Sequence, residues 1–211
     1  MEENRQLRKQ QRRRMGIFVV AVVMAALVGL AYAYTAGSDQ STVTVAVALE
    51  GNLSKEQLQA LSQRLTSYAG GWRERTQVEL YPFPTPQEDP DGALAGRQLT
   101  QLLEQLESGP ADLYLLDGAV WELVGSQDLF QDLSELFPED PALLDGYRYA
   151  LGDKPFLQAE GLEALEGLTA SLRSQESPAV NRTAATVASY QLQEALLEAI
   201  AAGAPMEPKP A

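Results

Sequence analysis

Cysteine and histidine are both absent from the 211 residues, and aromatic side chains make up only 7% of them. Without these two residue types the chain has no disulfides, thiolate nucleophiles, thiolate zinc sites or imidazole general bases. A lipid anchor on an N-terminal cysteine is excluded as well. Any domain this chain forms outside the cytoplasm must rest on its apolar core alone. Basic side chains are also scarce beyond the N-terminus. From Thr35 onward there are ten Lys and Arg against 27 Asp and Glu, a net charge of −17. Such a domain repels phosphate, so no nucleic acid partner is expected.

The first 34 residues have the opposite character. Residues 1–15 carry six basic side chains (Arg5, Arg8, Lys9, Arg12, Arg13 and Arg14) and two acidic ones. Gly16–Tyr34 contains no Asp, Glu, Lys or Arg. As a helix this run spans roughly 28 Å, close to the hydrocarbon thickness of a bilayer. Basic flanks resist translocation. The expected address is therefore the cell membrane: a single pass through the lipid bilayer via Gly16–Tyr34, the N-terminus cytoplasmic and the C-terminal domain extracytoplasmic. A cleaved signal peptide is the competing reading, because Ala31-Tyr32-Ala33 has the small-x-small pattern of a cleavage site. The run exceeds the usual core of such a peptide, which favours retention, and both readings export the rest of the chain.

Residues 35–41 read as a polar linker, residues 42–202 as one α/β domain and residues 203–211 as a disordered, proline-bearing tail. Val43, Val45, Val47 and Leu49 alternate with residues that are themselves small or apolar, the mark of a strand buried on both faces. Ser54-x-x-Gln57 is a capping box opening a helix with Leu58, Leu61, Leu65 and Tyr68 on one side, stopped by Gly70-Gly71. Val78, Leu80 and Phe83 supply a second strand, ended by Pro82, Pro84 and Pro86. Leu99, Leu102, Leu103 and Leu106 stripe a second helix. Asp112–Leu116 reads as a third strand, with a short helix through Trp121 and Val124 after it. Alternating strands and helices predict a three-layer α/β domain with a mostly parallel sheet. Leu168, Ala170 and Leu172 offer a fourth strand, and Ala184–Ala202 a last helix.

The stretch Ala111–Leu136, ADLYLLDGAVWELVGSQDLFQDLSEL, resembles the first lobe of bacterial extracellular solute-binding proteins, the type II periplasmic-binding-protein fold. The resemblance lies in a strand opening with Asp112, the turn at Asp117-Gly118, and the segment Gln131-Asp132-Leu133-Ser134. The strand at Val43–Leu49 and that at Val78–Tyr81 fall in the family's order. The family's members are longer and have two lobes. This chain resembles one lobe, with Leu168–Arg173 and the last helix completing the same sheet.

In an open parallel sheet, ligands sit beyond the carboxyl ends of strands where chain order reverses. For an order 2-1-3 that crevice lies between the first and third strands. Glu50, Gly51 and Asn52 would line one side, and Asp117, Gly118, Ala119 and Trp121 the other. Against this, Asp117 suits a helix N-cap, Gly51 and Gly118 suit turns, and Trp121 suits core packing. The acidic runs Glu88-Asp89-Pro90-Asp91 and Glu139-Asp140 lack the pattern of a calcium loop and read as solvated turns. No metal, cofactor or catalytic residue is expected. The reading is a non-catalytic, membrane-anchored binding or interaction module whose partner is a membrane or envelope protein or a small solute. The alternatives are a structural ectodomain in envelope assembly and a carboxylate-dependent surface hydrolase.

Overall fold

The computed structural model describes residues 43–70, 76–125 and 128–207. The basic arm, the apolar run Gly16–Tyr34, the linker and residues 208–211 lie outside the described residues. Among the described residues no helix is long and apolar enough to cross a membrane.

Five strands form one sheet in the order β2-β1-β3-β5-β4. They are β1 (Val43–Glu50), β2 (Thr76–Phe83), β3 (Leu113–Leu116), β4 (Tyr149–Ala150) and β5 (Thr169–Leu172). The helices are α1 (Lys55–Tyr68), α2 (Ala93–Ser108), α3 (Gly118–Val124) and α4 (Ala184–Ala202). β1 pairs in parallel with β2 and with β3, so the order 2-1-3 holds for the first three strands. β5 lies antiparallel between β3 and β4, so it alone runs against the other four. The sheet is thus mostly parallel but mixed. The reversal has a cause in the chain: β4 reaches β5 through turns and a short 3-10 segment at Glu163–Leu165, not through a crossover helix.

β1 lies inside the sheet, between β2 and β3, because both of its faces are apolar, and Val43 to Leu49 are buried without a break. Its odd-numbered side chains Val43, Val45, Val47 and Leu49 join Leu113, Leu115 and Leu172, covered by Leu61 and Leu65 of α1 and by Leu196, Leu197 and Ile200 of α4. Its even-numbered residues Ala46 and Ala48 join Tyr114 and Leu116, covered by Leu102 and Leu106 of α2 and by Val120, Trp121 and Val124 of α3. The period of two in a strand sorts these residues onto two cores, one on each face. Helices α1 and α4 cover one side of the sheet, and α2 and α3 the other, giving three layers.

Local signals place most element ends. Ser54 caps α1: its hydroxyl accepts from the Gln57 N–H at 3.2 Å, and the Gln57 side chain accepts from the Ser54 N–H at 2.8 Å. Beyond the helix Gly70 has φ +59°, and a Cβ there would collide with the Met206 carbonyl oxygen. α4 begins at a second reciprocal cap, Thr183 with Thr186, and ends at Gly203 with φ +70°.

Two sequence readings need correction. Pro82 does not end β2 but lies within it, opposite Leu49, which an edge strand tolerates because one of its sides has no ladder partner. The chain after Gly203 is not loose at once. The Met206 N–H donates to the Tyr68 carbonyl at 2.8 Å, and its side chain packs on the core.

Candidate functional site

The crevice expected between β1 and β3 is occupied by the chain's own hydrogen bonds. Asp117 stands just after β3 and holds both sides of it. Its Oδ1 accepts from the Val120 N–H at 2.8 Å, capping α3, and its Oδ2 accepts from the Glu50 N–H at 2.5 Å. The Asp117 N–H in turn donates to the Ala48 carbonyl at 3.2 Å. Asp117 is therefore an N-cap that also fastens the end of β1. Trp121 is 7% exposed and belongs to the core beside α3. Its ring lies 5.1 Å from that of Phe130, and the Arg148 guanidinium sits 4.9 Å from its centroid. A Cβ at Gly125 would strike the same indole, so that glycine makes room for it. Gly118 and Ala119 are exposed on the first turn of a seven-residue helix. Glu50 is exposed at the rim.

The open space lies on the other side of β1. A groove of about 440 Å³ runs beyond the carboxyl ends of β1 and β2 and along α2. Of the residues expected at the crevice, Gly51 and Asn52 line this groove, whereas Glu50, Asp117, Gly118 and Trp121 do not. Gly51 adopts φ +85°, and its N–H donates to the Phe83 carbonyl at 2.8 Å, which turns the chain over the rim. Pro82, Phe83 and Pro84 line the β2 side.

Helix α2 lines the groove with Leu94, Arg97, Gln98 and Gln101. These stand at i, i+3, i+4 and i+7, the same spacing as the Leu99, Leu102, Leu103 and Leu106 stripe that packs inward. Leu94 is 44% exposed. Arg97 is exposed and makes no hydrogen bond or ion pair among the described residues. Facing the same space is Glu88, whose Oε2 accepts from the Thr85 N–H and the Thr85 hydroxyl, each at 3.0 Å. The backbone bond and then the hydroxyl bond from Thr85 lower its pKa, so the carboxylate is ionised at neutral pH. Asp89 ends the turn by accepting from the Leu94 and Ala95 N–H groups at 2.8 Å each, so the first turn of α2 is already capped. Of the acidic run at Glu88–Asp91, Glu88 thus lines the groove and Asp89 caps α2. Asp140 is likewise tied to the Ala142 N–H and to the Tyr149 hydroxyl.

The most perturbed carboxylate lies at the opposite end of the sheet. Asp112, just before β3, has its pKa pushed up to about 6 by burial, with the positive charge of Arg173 pulling the other way. Arg173 is 1% exposed. Its Nη2 donates to the carbonyls of Gln105, Gly109 and Ala111 and to the Tyr114 hydroxyl, and its Nε stands 3.5 Å from Asp112 Oδ1. Gln193 of α4 completes the cluster. Its carbonyl oxygen accepts from the Asp112 and Leu113 N–H groups at 2.8 Å each, and its amide donates to Asp112 Oδ2 at 3.1 Å. A perturbed acid in a cleft would suggest chemistry. This one is enclosed and satisfied by structural partners, so it joins α2, β3, β5 and α4.

Sequence reasoning missed Arg97, Gln98, Gln101 and Glu88. The signal that could have found them is the second stripe on α2, four residues at helical spacing that are mostly polar and end opposite a proline-flanked turn. Comparison with protein-family models, with curated proteins and with solved structures returns no match for this chain.

Proposed function

We propose that the chain is a membrane-tethered, non-catalytic binding module whose α/β domain takes a small solute in the groove along α2. The observation that carries this reading is the groove itself. It lies beyond strand carboxyl ends, mixes apolar walls with polar groups, and has a volume in the range of small-molecule sites. The likeness to one lobe of a solute-binding protein is supported by the parallel β2-β1-β3 order and by Thr169–Leu172 joining the same sheet. In Gln131-Asp132-Leu133-Ser134, the Asp132 side chain accepts from the Ser134 N–H at 2.8 Å and Leu133 is fully buried, so this part of the resemblance is a folded turn. The tether is read from the apolar run Gly16–Tyr34 and its arginine-rich flank.

A surface hydrolase is the weaker reading. Two carboxylates with pKa values pushed apart would have to share a cleft, whereas Glu88 is the one carboxylate lining this groove among the described residues.

The test is a melting-temperature screen of the full chain in detergent against amino acids, short peptides and sugars. A solute present at about 100 times its Kd stabilises the folded state by about 2.7 kcal/mol. The expected result is a shift with one solute class that Gln101→Trp, which fills the groove, removes. No shift with any class would sink the solute-binding reading. For the tether, a reporter fused after Ala211 should be active only as an extracytoplasmic enzyme.

A further inference from the structure

We infer that the ligand of this groove is a small zwitterion with an apolar body, its carboxylate held by Arg97 and its ammonium group by Glu88; the inference rests on the binding reading above. Two opposite charges line one groove without pairing with each other. Four of the domain's basic groups are engaged by the chain itself. Arg64 donates to the Pro155 and Phe156 carbonyls, Arg148 pairs with Asp145, Lys154 with Asp140 and Arg173 with Asp112. Arg97, like Lys55 and Arg182, makes no hydrogen bond or ion pair among the described residues, and of these three it alone lines the groove, in a domain where acids outnumber bases 27 to ten. A guanidinium presents a planar fork of donors that fits a carboxylate with two parallel hydrogen bonds.

Glu88 is held in place rather than neutralised. Thr85 occupies its Oε2 through two hydrogen bonds, while Oε1 accepts none among the described residues. An ammonium group can therefore meet a carboxylate that is already oriented. The carboxamides of Gln98 and Gln101 line the same groove and can both donate to and accept from a peptide group. Leu94, Pro82 and Pro84 supply apolar contact. A neutral sugar would leave both charges unanswered. A phosphate dianion would gain Arg97 but face Glu88 and the acidic surface around it. The complement of this wall is a molecule with a cationic end, an anionic end and an apolar side chain, which describes a short peptide or a free apolar amino acid.

The experiment is calorimetric titration of the full chain in detergent with four probes: Ala-Leu-Ala, its N-acetyl form, its C-terminal amide, and leucine. Ala-Leu-Ala is expected to bind, with each blocked form at least about tenfold weaker, the loss typical of a charge-assisted hydrogen bond. Arg97→Gln should erase the preference for the free acid over the amide and leave the preference for the free amine. Glu88→Gln should do the reverse. Both side chains are exposed, and circular dichroism checks that both variants keep the fold. Binding of leucine in place of the tripeptide assigns the free amino acid as the source of the same chemistry. Equal binding of blocked and free forms, or discrimination that survives the substitutions, overturns the inference. If an uncharged solute binds and Gln101→Trp blocks it, the zwitterion falls while the groove stands. If no solute binds at all, both fall.

Discussion

The two ends of the sheet each hold an arginine beside an acid, and they use the pair in opposite ways. At the amino end of β3, Arg173 is enclosed, bonded to three carbonyls and a tyrosine, and set 3.5 Å from Asp112. At the carboxyl end of β1 and β2, Arg97 is exposed and without a partner among the described residues, and Glu88 is bonded only to its own turn. One end has its charges met inside the chain, although Arg173 Nε and Gln105 Nε2 make no hydrogen bond, and the other leaves its charges facing outward. An unanswered charge in water costs little, whereas an unanswered charge in a dry interior costs several kcal/mol. The difference separates the part of the molecule that holds the fold from the part free to meet another molecule.

Four substitutions test that contrast, and their effects on stability should fall in a definite order. Arg173→Ala leaves Asp112 buried without its cation and the Gly109 carbonyl without its donor, while the Gln105 and Ala111 carbonyls keep the Tyr114 hydroxyl, and should destabilise by about 3–5 kcal/mol in urea unfolding. A loss below about 1 kcal/mol would mean that the buried end is not the stabilising one. Asp112→Asn comes next, and its signature is pH dependence. The folded-state pKa is raised to about 6. The favourable contribution is therefore complete below the unfolded value near 4 and is lost as pH rises through 6, a change of up to about 3 kcal/mol. The difference in stability between wild type and Asp112→Asn should thus change across pH 4 to 6 and be flat above it. A difference independent of pH would contradict the burial argument.

Asp117→Ala removes the cap of α3 and the tie to the Glu50 amide, and should cost about 1–2 kcal/mol in the same unfolding measurement. Because Asp117 is not at the groove, solute affinity should change little. Arg97→Gln stands at the other extreme. As an exposed, unpartnered side chain it should shift stability by less than about 0.5 kcal/mol while altering solute binding. A large loss of stability in this variant would erase the distinction between the two ends.

The elements legible in the sequence are those whose signals are local. Ser54 with Gln57, the leucines of α2 and the apolar run of β1 each act within a few residues, and the parallel pairing of β1 with β2 and β3 follows from alternation of strand and helix. What was not legible depends on distant chain. Arg173 carries no mark in sequence that distinguishes it from a surface arginine, because its carbonyl acceptors lie 62 to 68 residues away. β4 is two residues long, too short to show a period. The groove was displaced by one strand for a related reason. The switch-point rule indicates the end of the sheet at which the groove opens, yet Asp117 reaches 67 residues back to the Glu50 amide and closes the expected gap. The opening then falls beside β2, where Gly51 turns the chain and α2 begins.

Gln193 gives the domain a direction in time. The amides of Asp112 and Leu113, at the start of β3, have their acceptor on this one carboxamide, 81 and 80 residues further along the polypeptide. A ribosome that has not yet delivered residue 193 leaves a central strand with two bare donors, so early native pairing there gains little until the last helix arrives. Truncation at the carboxyl terminus should therefore damage the middle of the sheet, not merely trim its rim, and the nascent domain should resist proteases only once it is nearly complete.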